Sequence, residues 1–310
     1  MTGVAARAGG QARADRGENR DMELLFFNAF NGLVQGFFYA LMALGLALIL
    51  SLSSVINMAH GGFLVIGAYL AFTLTPYFGF WGALVVGPVL AGILGLAVEQ
   101  TLIRRLYKRP DPLYSLLLTF GLALIIQDLT RTIWGAQGLP AAVPDILNQP
   151  LNSTLFFITW YRIVIIGITA IVAVGLYLLL RYSLIGIRIR AGTRDLETAA
   201  TLGVNVYKLR ALNFAVGCFF AGLAGVLASG VLGLTPPMGE SLLMPTFVAV
   251  IVGGVGSLAG AVLGGLLIGL ASGITTTYYP AASEAVIYFI MLVVLVIRPR
   301  GLLGKESVFE

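Results

Sequence analysis

Charge is scarce in this chain: Asp, Glu, Lys and Arg make up 11% of its 310 residues, against about 25% in a typical soluble domain. So little charge cannot cover a folded surface in water, which excludes an ordinary soluble globule. The single cysteine, Cys218, excludes an intramolecular disulfide. The single histidine, His60, with that one cysteine and no paired carboxylates, leaves no plausible metal centre. There is no G-x-x-x-x-G-K-[ST] phosphate loop; Gly304-Lys305 comes nearest, but Glu306 follows it and the upstream glycine is missing. The chain therefore does not bind ATP by that device. It also lacks a nucleophile–base arrangement for enzyme chemistry and the ladder of buried carboxylates that a proton-driven carrier needs. No cofactor is expected.

Apolar sequence is abundant. Hydrophobic residues make up 58% of the chain and the mean hydropathy is +0.95. Runs of about 20 apolar residues suffice to cross a membrane as helices. A β-barrel would need short alternating segments, whereas these runs are continuous and rich in Leu, Ala, Gly and Val. The reading is an all-α polytopic membrane bundle of about nine helices, some short or discontinuous. Candidate spans are 26–52, 61–79, 81–103, 113–134, 156–180, 211–232, 243–256, 258–277 and 284–297. The second and third meet at a turn around Pro76 to Trp81.

Basic residues concentrate in 104–109, 181–210 and 298–305. They flank apolar spans, as cytoplasmic loops do, so the net charge of +5 does not indicate a nucleic-acid partner. Loops 135–153 and 233–242 contain no Lys or Arg and read as external. Counting crossings back from the inner 104–112 loop puts the amino terminus outside, although Arg7, Arg13, Arg16 and Arg20 favour the inside; parity takes precedence. Residues 1–23 read as a disordered polar tail, 24–304 as the transmembrane domain and 305–310 as a short C-terminal tail. The apolar run after the first tail exceeds the core of a cleavable signal and reads as a retained helix.

Three interruptions carry the chemistry. Within the polar segment 181–210 lies Glu197-Thr198-Ala199-Ala200-Thr201-Leu202-Gly203. Glu197 suits a helix start, the alanines continue it, and Gly203 can end it with a positive φ. Such a helix of small residues can dock on a partner, or it can be an ordinary interfacial helix. The other two interruptions are the Ser53–Gly62 stretch, with Asn57, His60, Gly61 and Gly62, and the Gly253-Gly254-Val255-Gly256-Ser257 stretch. Glycines inside spans permit close helix packing or mark broken helices lining a cavity. His60 reads equally as a polar element near a substrate path or as an interfacial side chain. Asp128 and Arg131 share a helix face and read as a structural ion pair or, less readily, as a proton relay.

The stretch RAGTRDLETAATLGVNVYKLRALNFAVGCFFAGLAGVL at 190–227, NGLVQGFFYALMALGLALI at 31–49 and VINMAHGGFLVIGAY at 55–69 together resemble the branched-chain amino-acid (LivH-type) permeases of ABC importers. The resemblance covers about residues 24–304. It implies a type II ABC importer-like fold in a bacterial plasma (inner) membrane. It also implies a second, homologous permease, two cytoplasmic ATPase subunits that hydrolyse the ATP, and an external substrate-binding protein. Leu, Ile and Val are the implied substrates, with urea or short amides as the alternative within the family. On this reading Arg194, Glu197, Ala199, Ala200 and Gly203 couple to the ATPase. Asn57, His60, Gly61, Gly62, Gly253, Gly254 and Ser257 line the path. The competing class is an ion-gradient-driven secondary transporter, which the scarcity of charge within the spans argues against.

Overall fold

The structure, a computed structural model, describes residues 22–304 apart from 54, 109, 110, 142 and 152–157. Of the expected tail 1–23, residues 1–21 lie outside the described residues, as do 305–310 and Ser54, whereas Met22 and Glu23 are helical and open α1. Helix α1 (Met22–Ser53) is the central element. It is followed by α2 (His60–Thr101), a 3-10 turn (Ile103–Lys108), α3 (Pro112–Trp134), a short α4 (Asp145–Asn148) and α5 (Trp160–Tyr182). Two short helices, α6 (Leu184–Arg194) and α7 (Leu196–Thr201), precede α8 (Val206–Leu232), α9 (Met238–Gly253), α10 (Leu258–Tyr278) and α11 (Ala285–Ile297). Among the described residues there is no β-strand, only the isolated bridges Leu139–Leu234 and Pro150–Thr159. The chain is an all-α polytopic membrane bundle.

Six helices are long and apolar enough to cross a membrane, while α9 and α11 are shorter apolar helices. One of the six is a hairpin. Gly79 in α2 has φ 66 and ψ 174, outside the helical region, a conformation that glycine adopts without steric cost. The chain folds back there, and a Cβ on Gly87 would meet the Cβ of Ala71. The turn expected between Pro76 and Trp81 is thus this single glycine. A second hairpin joins α9 to α10, with Gly253 and Gly260 in backbone contact.

The core is built on close helix approach. Gly32 and Gly36 of α1 face Gly273, Gly269 and Gly265 of α10 so closely that added Cβ atoms would strike backbone. Without a hydrophobic drive between helices in lipid, such packing holds spans together. α1 also runs antiparallel to α8, with Gly45 against Gly217 and the Asn213 amide donating to the Leu48 carbonyl. By contrast, α3 and α5 are mostly exposed, as lipid- or partner-facing helices would be.

These contacts sort the loops onto two faces. Arg210 donates through Nε to the Leu52 carbonyl (3.3 Å) and stacks on the Tyr107 ring at 4.3 Å. Arg104 stacks on Tyr207 at 4.5 Å. The basic segments 104–108 and 181–210 therefore meet at one end. The loop residues Leu139 and Leu234 exchange backbone hydrogen bonds of 2.8 and 3.2 Å at the other end. The Met22 end of α1 lies on that second face, away from the basic loops.

Candidate functional site

The break between α1 and α2 is where the bundle becomes irregular. α1 ends at Ser53 near Arg210, and residues 55–58 then rise without helical structure until α2 starts at His60. His60 is fully buried, and its Nε2 donates to the Met42 carbonyl at 3.1 Å. Met42 is eleven residues before Ser53, about 16 Å up the helix at 1.5 Å per residue. α2 consequently begins well inside the bundle. Irregular backbone at that depth must be satisfied by protein, and Thr119 of α3 does so. Its hydroxyl accepts from the Met58 amide (3.1 Å) and lies 3.0 Å from the Ile56 carbonyl. Asn57 is fully buried, and its carboxamide has no protein partner.

Beside this break a crevice of about 140 Å³ opens between α2, α3 and α9. Gly61 and Gly62 line it with Gly239, Leu243 and Met244 of α9; Gly61 faces Gly239, and Gly62 faces Ile126 of α3. Its lining includes two residues with polar side chains, Gln127 of α3 and Glu240 of α9. Asn57 and His60 are not among its lining residues; His60 turns instead toward α1. Nor are Gly253, Gly254 and Ser257. These form the α9–α10 turn, where Gly254 has φ 103 and the Ser257 hydroxyl caps α10 by accepting from the Gly260 amide (3.1 Å). The chain's C-terminal turn is seated on it: the Leu302 and Leu303 amides donate to the Val252 and Gly253 carbonyls at 2.8 and 3.0 Å. The structure therefore brings together Gly61 and Gly62, and places the second glycine-rich break elsewhere.

On the basic face, residues 183–208 form three helices, each started by a side-chain cap. Ser183 accepts from the Gly186 amide, Asp195 from the Glu197 and Thr198 amides, and Asn205 from the Lys208 amide, all at 3.0 Å. Such caps satisfy amides that the first turn leaves without partners. The Thr198 hydroxyl also donates to Asp195. These bonds, led by those from Thr198, hold the Asp195 carboxyl below its ordinary range. Gly203, with φ 86, ends the α7 segment.

Within this segment Arg194, Glu197, Ala200 and Gly203 are exposed, but Ala199 is buried and faces its own chain. Leu202 is 79% exposed, an apolar knob next to Ala200. Leu202, Gly239, Gln127 and Glu240 are the residues that sequence reasoning missed. The signal for Glu240 was legible, as an acid at the head of an apolar helix.

The profile of the family described as "Branched-chain amino acid transport system / permease component" matches residues 28–295. The chain is 30% identical to the high-affinity branched-chain amino acid transport system permease protein LivH of Escherichia coli K12, over 92% of this chain and 98% of that one. It is 29% identical to the corresponding protein BraD of Pseudomonas aeruginosa, over 90% and 95%. It is 26% identical to the permease protein LivM of Escherichia coli K12, over 86% of this chain and 67% of LivM.

Proposed function

This chain belongs to the family of branched-chain amino acid transport system permease components, and on that premise we propose that it is one of two permeases in an ATP-driven importer of leucine, isoleucine and valine. The second permease is a LivM-like homologue, since this chain is similar to both LivH and LivM. Two cytoplasmic ATPase subunits supply the energy and an external binding protein supplies the substrate, across a bacterial plasma membrane.

The observation that carries this reading is α7. It is a capped helix on the basic face, with Ala200 and Leu202 exposed on a segment whose neighbours Ala199 and Leu209 are buried. An exposed apolar side chain beside a bare methyl, at the end of a membrane protein that carries its positive charge, suits seating in another protein's groove. Arg194, Glu197 and Gly203 hold that helix in place or flank it.

Substrate passes beside the α2 break, along Gly61, Gly62 and the exposed side of α9. Asn57 and His60 shape the buried backbone behind that wall, and Gly253, Gly254 and Ser257 form the hinge-like turn at its inner end. The test is ATP-dependent uptake of labelled leucine, isoleucine and valine by the complete complex in proteoliposomes. Uptake of urea or a short amide in their place would overturn the substrate assignment. Uptake without the ATPase subunits would overturn the class.

A further inference from the structure

The α2–α3–α9 crevice has the composition of a ligand site, apolar walls with a few polar groups. Its free space of about 140 Å³ compares with the roughly 150 Å³ cavity that accommodates a benzene-sized apolar group. Its walls include Val65, Leu124, Leu243 and Met244, and the residues with charged or amide side chains among its lining are Gln127 and Glu240. Glu240 stands in the first turn of α9, where the helix dipole favours a carboxylate. It follows Gly239, whose backbone touches Gly61, so the residue is placed beside the break in α2. The mouth adjoins the end where Leu139 pairs with Leu234, opposite the basic loops. Below Glu240 the same side of α9 continues through Met244, Phe247 and Ile251 without another charge.

Resting on the importer reading above, the geometry points to Glu240, assisted by the Gln127 carbonyl, as the group that receives the α-ammonium of an apolar amino acid as it leaves the binding protein, with the side chain lodged against Leu243 and Met244. A carboxylate at the mouth of an apolar crevice attracts an ammonium group that enters it, and its exposure to solvent keeps that attraction modest. The absence of a second charge further along α9 keeps the hold weak enough for passage. This makes Glu240 a specificity-determining residue, selecting solutes that carry an ammonium next to an apolar side chain over neutral amides.

The experiment uses the full complex in proteoliposomes with Met244→Cys as a reporter, since Cys218 is fully buried. Without nucleotide, leucine slows alkylation of the reporter by a neutral maleimide, whereas 4-methylpentanoate, leucine's skeleton without the ammonium, does not. Adding Glu240→Gln abolishes the protection and lowers leucine uptake by about tenfold or more, while Glu240→Asp retains a substantial part of both. Glu240 is exposed, so neither substitution disturbs packing, and equal recovery of assembled complex checks this. Protection and uptake at wild-type level in Glu240→Gln, or equal protection by 4-methylpentanoate, would overturn the inference while leaving the importer reading intact. A wild-type complex that takes up no branched-chain amino acid would overturn both.

Discussion

Gly61 and Gly239 touch backbone to backbone: a Cβ built on either would strike the carbonyl of the other. This contact joins the start of α2 to the start of α9 and forms one edge of the crevice. No side-chain movement can relieve it. For Gly62, next in the chain, the nearest atoms to an added Cβ belong to the Ile126 side chain, at 3.0 Å and beyond. Gly61→Ala should therefore lower the stability of the purified protein by about 1–3 kcal/mol and reduce uptake with it. Gly62→Ala should cost well under half of that, because Ile126 can shift. Thermal unfolding in detergent compares the two. Equal effects would show that the α2–α9 contact is not the tight one.

The two faces of α7 make opposite predictions. Ala200→Arg should leave the permease folded but prevent stable association with the ATPase subunits, since a charge forced into an apolar groove is costly. Leu202→Ala should weaken association more mildly, by about 1–2 kcal/mol for the lost apolar burial. Ala199→Arg should instead destabilise the permease itself, because Ala199 is 3% exposed. Co-purification and thermal stability, measured side by side, separate these outcomes. Unimpaired association in both Ala200→Arg and Leu202→Ala would remove α7 from the interface.

The Asp195 cap gives a pH dependence. Its carboxyl sits below the ordinary 3.8, through hydrogen bonds led by the Thr198 hydroxyl and amide. A carboxylate depressed in the folded state stabilises it above the ordinary value and loses that contribution as pH falls through the lowered one. Coupled ATP hydrolysis should therefore show no step attributable to this cap from neutral pH down to about 5. Asp195→Asn should retain coupling, because Asn also caps helices, and Asp195→Ala should impair it. Impairment equal in both variants would point to the charge rather than the cap.

The C-terminal turn closes the α9–α10 hairpin. Leu302→Pro removes the amide that bonds the Val252 carbonyl, leaving a buried acceptor unpaired at a cost of about 1–3 kcal/mol. Gly254→Ala should be comparably harmful, because φ 103 is strained for alanine and its Cβ would meet the Gly304 and Arg300 backbone. Hydrogen exchange should show faster opening of 250–260 in both variants, with α1–α8 protection unchanged. Protection of 250–260 unchanged in Leu302→Pro would mean that the turn is not held by this cap.

Topology can be read with single cysteines. Asn148 and Thr193 are both exposed, and they lie on opposite faces of the bundle. A cysteine at Asn148 should react with an impermeant thiol reagent added outside intact cells, and one at Thr193 only after permeabilisation. The native Cys218 is buried and need not be replaced. Reversed labelling would invert the whole orientation.

The sequence by itself determined that this is a helical membrane protein, because 11% charge and long apolar runs leave no other way to satisfy backbone and surface. It also set the basic loops apart from those without Lys or Arg, and carried the local form of α7, whose cap, alanines and glycine stop lie within ten residues. Only the tertiary structure decided which interruptions meet. The Ser53–Gly62 and Gly253–Ser257 stretches look alike as glycine-rich breaks, yet the first borders a crevice and the second is a turn covered by Leu302 and Leu303 of the same chain. The distinction rests on Gly239 reaching Gly61 and Leu302 reaching Val252, contacts across 178 and 50 residues. Local propensity carries no information about such pairings. In lipid they are fixed by which small surfaces pack most closely, and that choice belongs to the whole bundle.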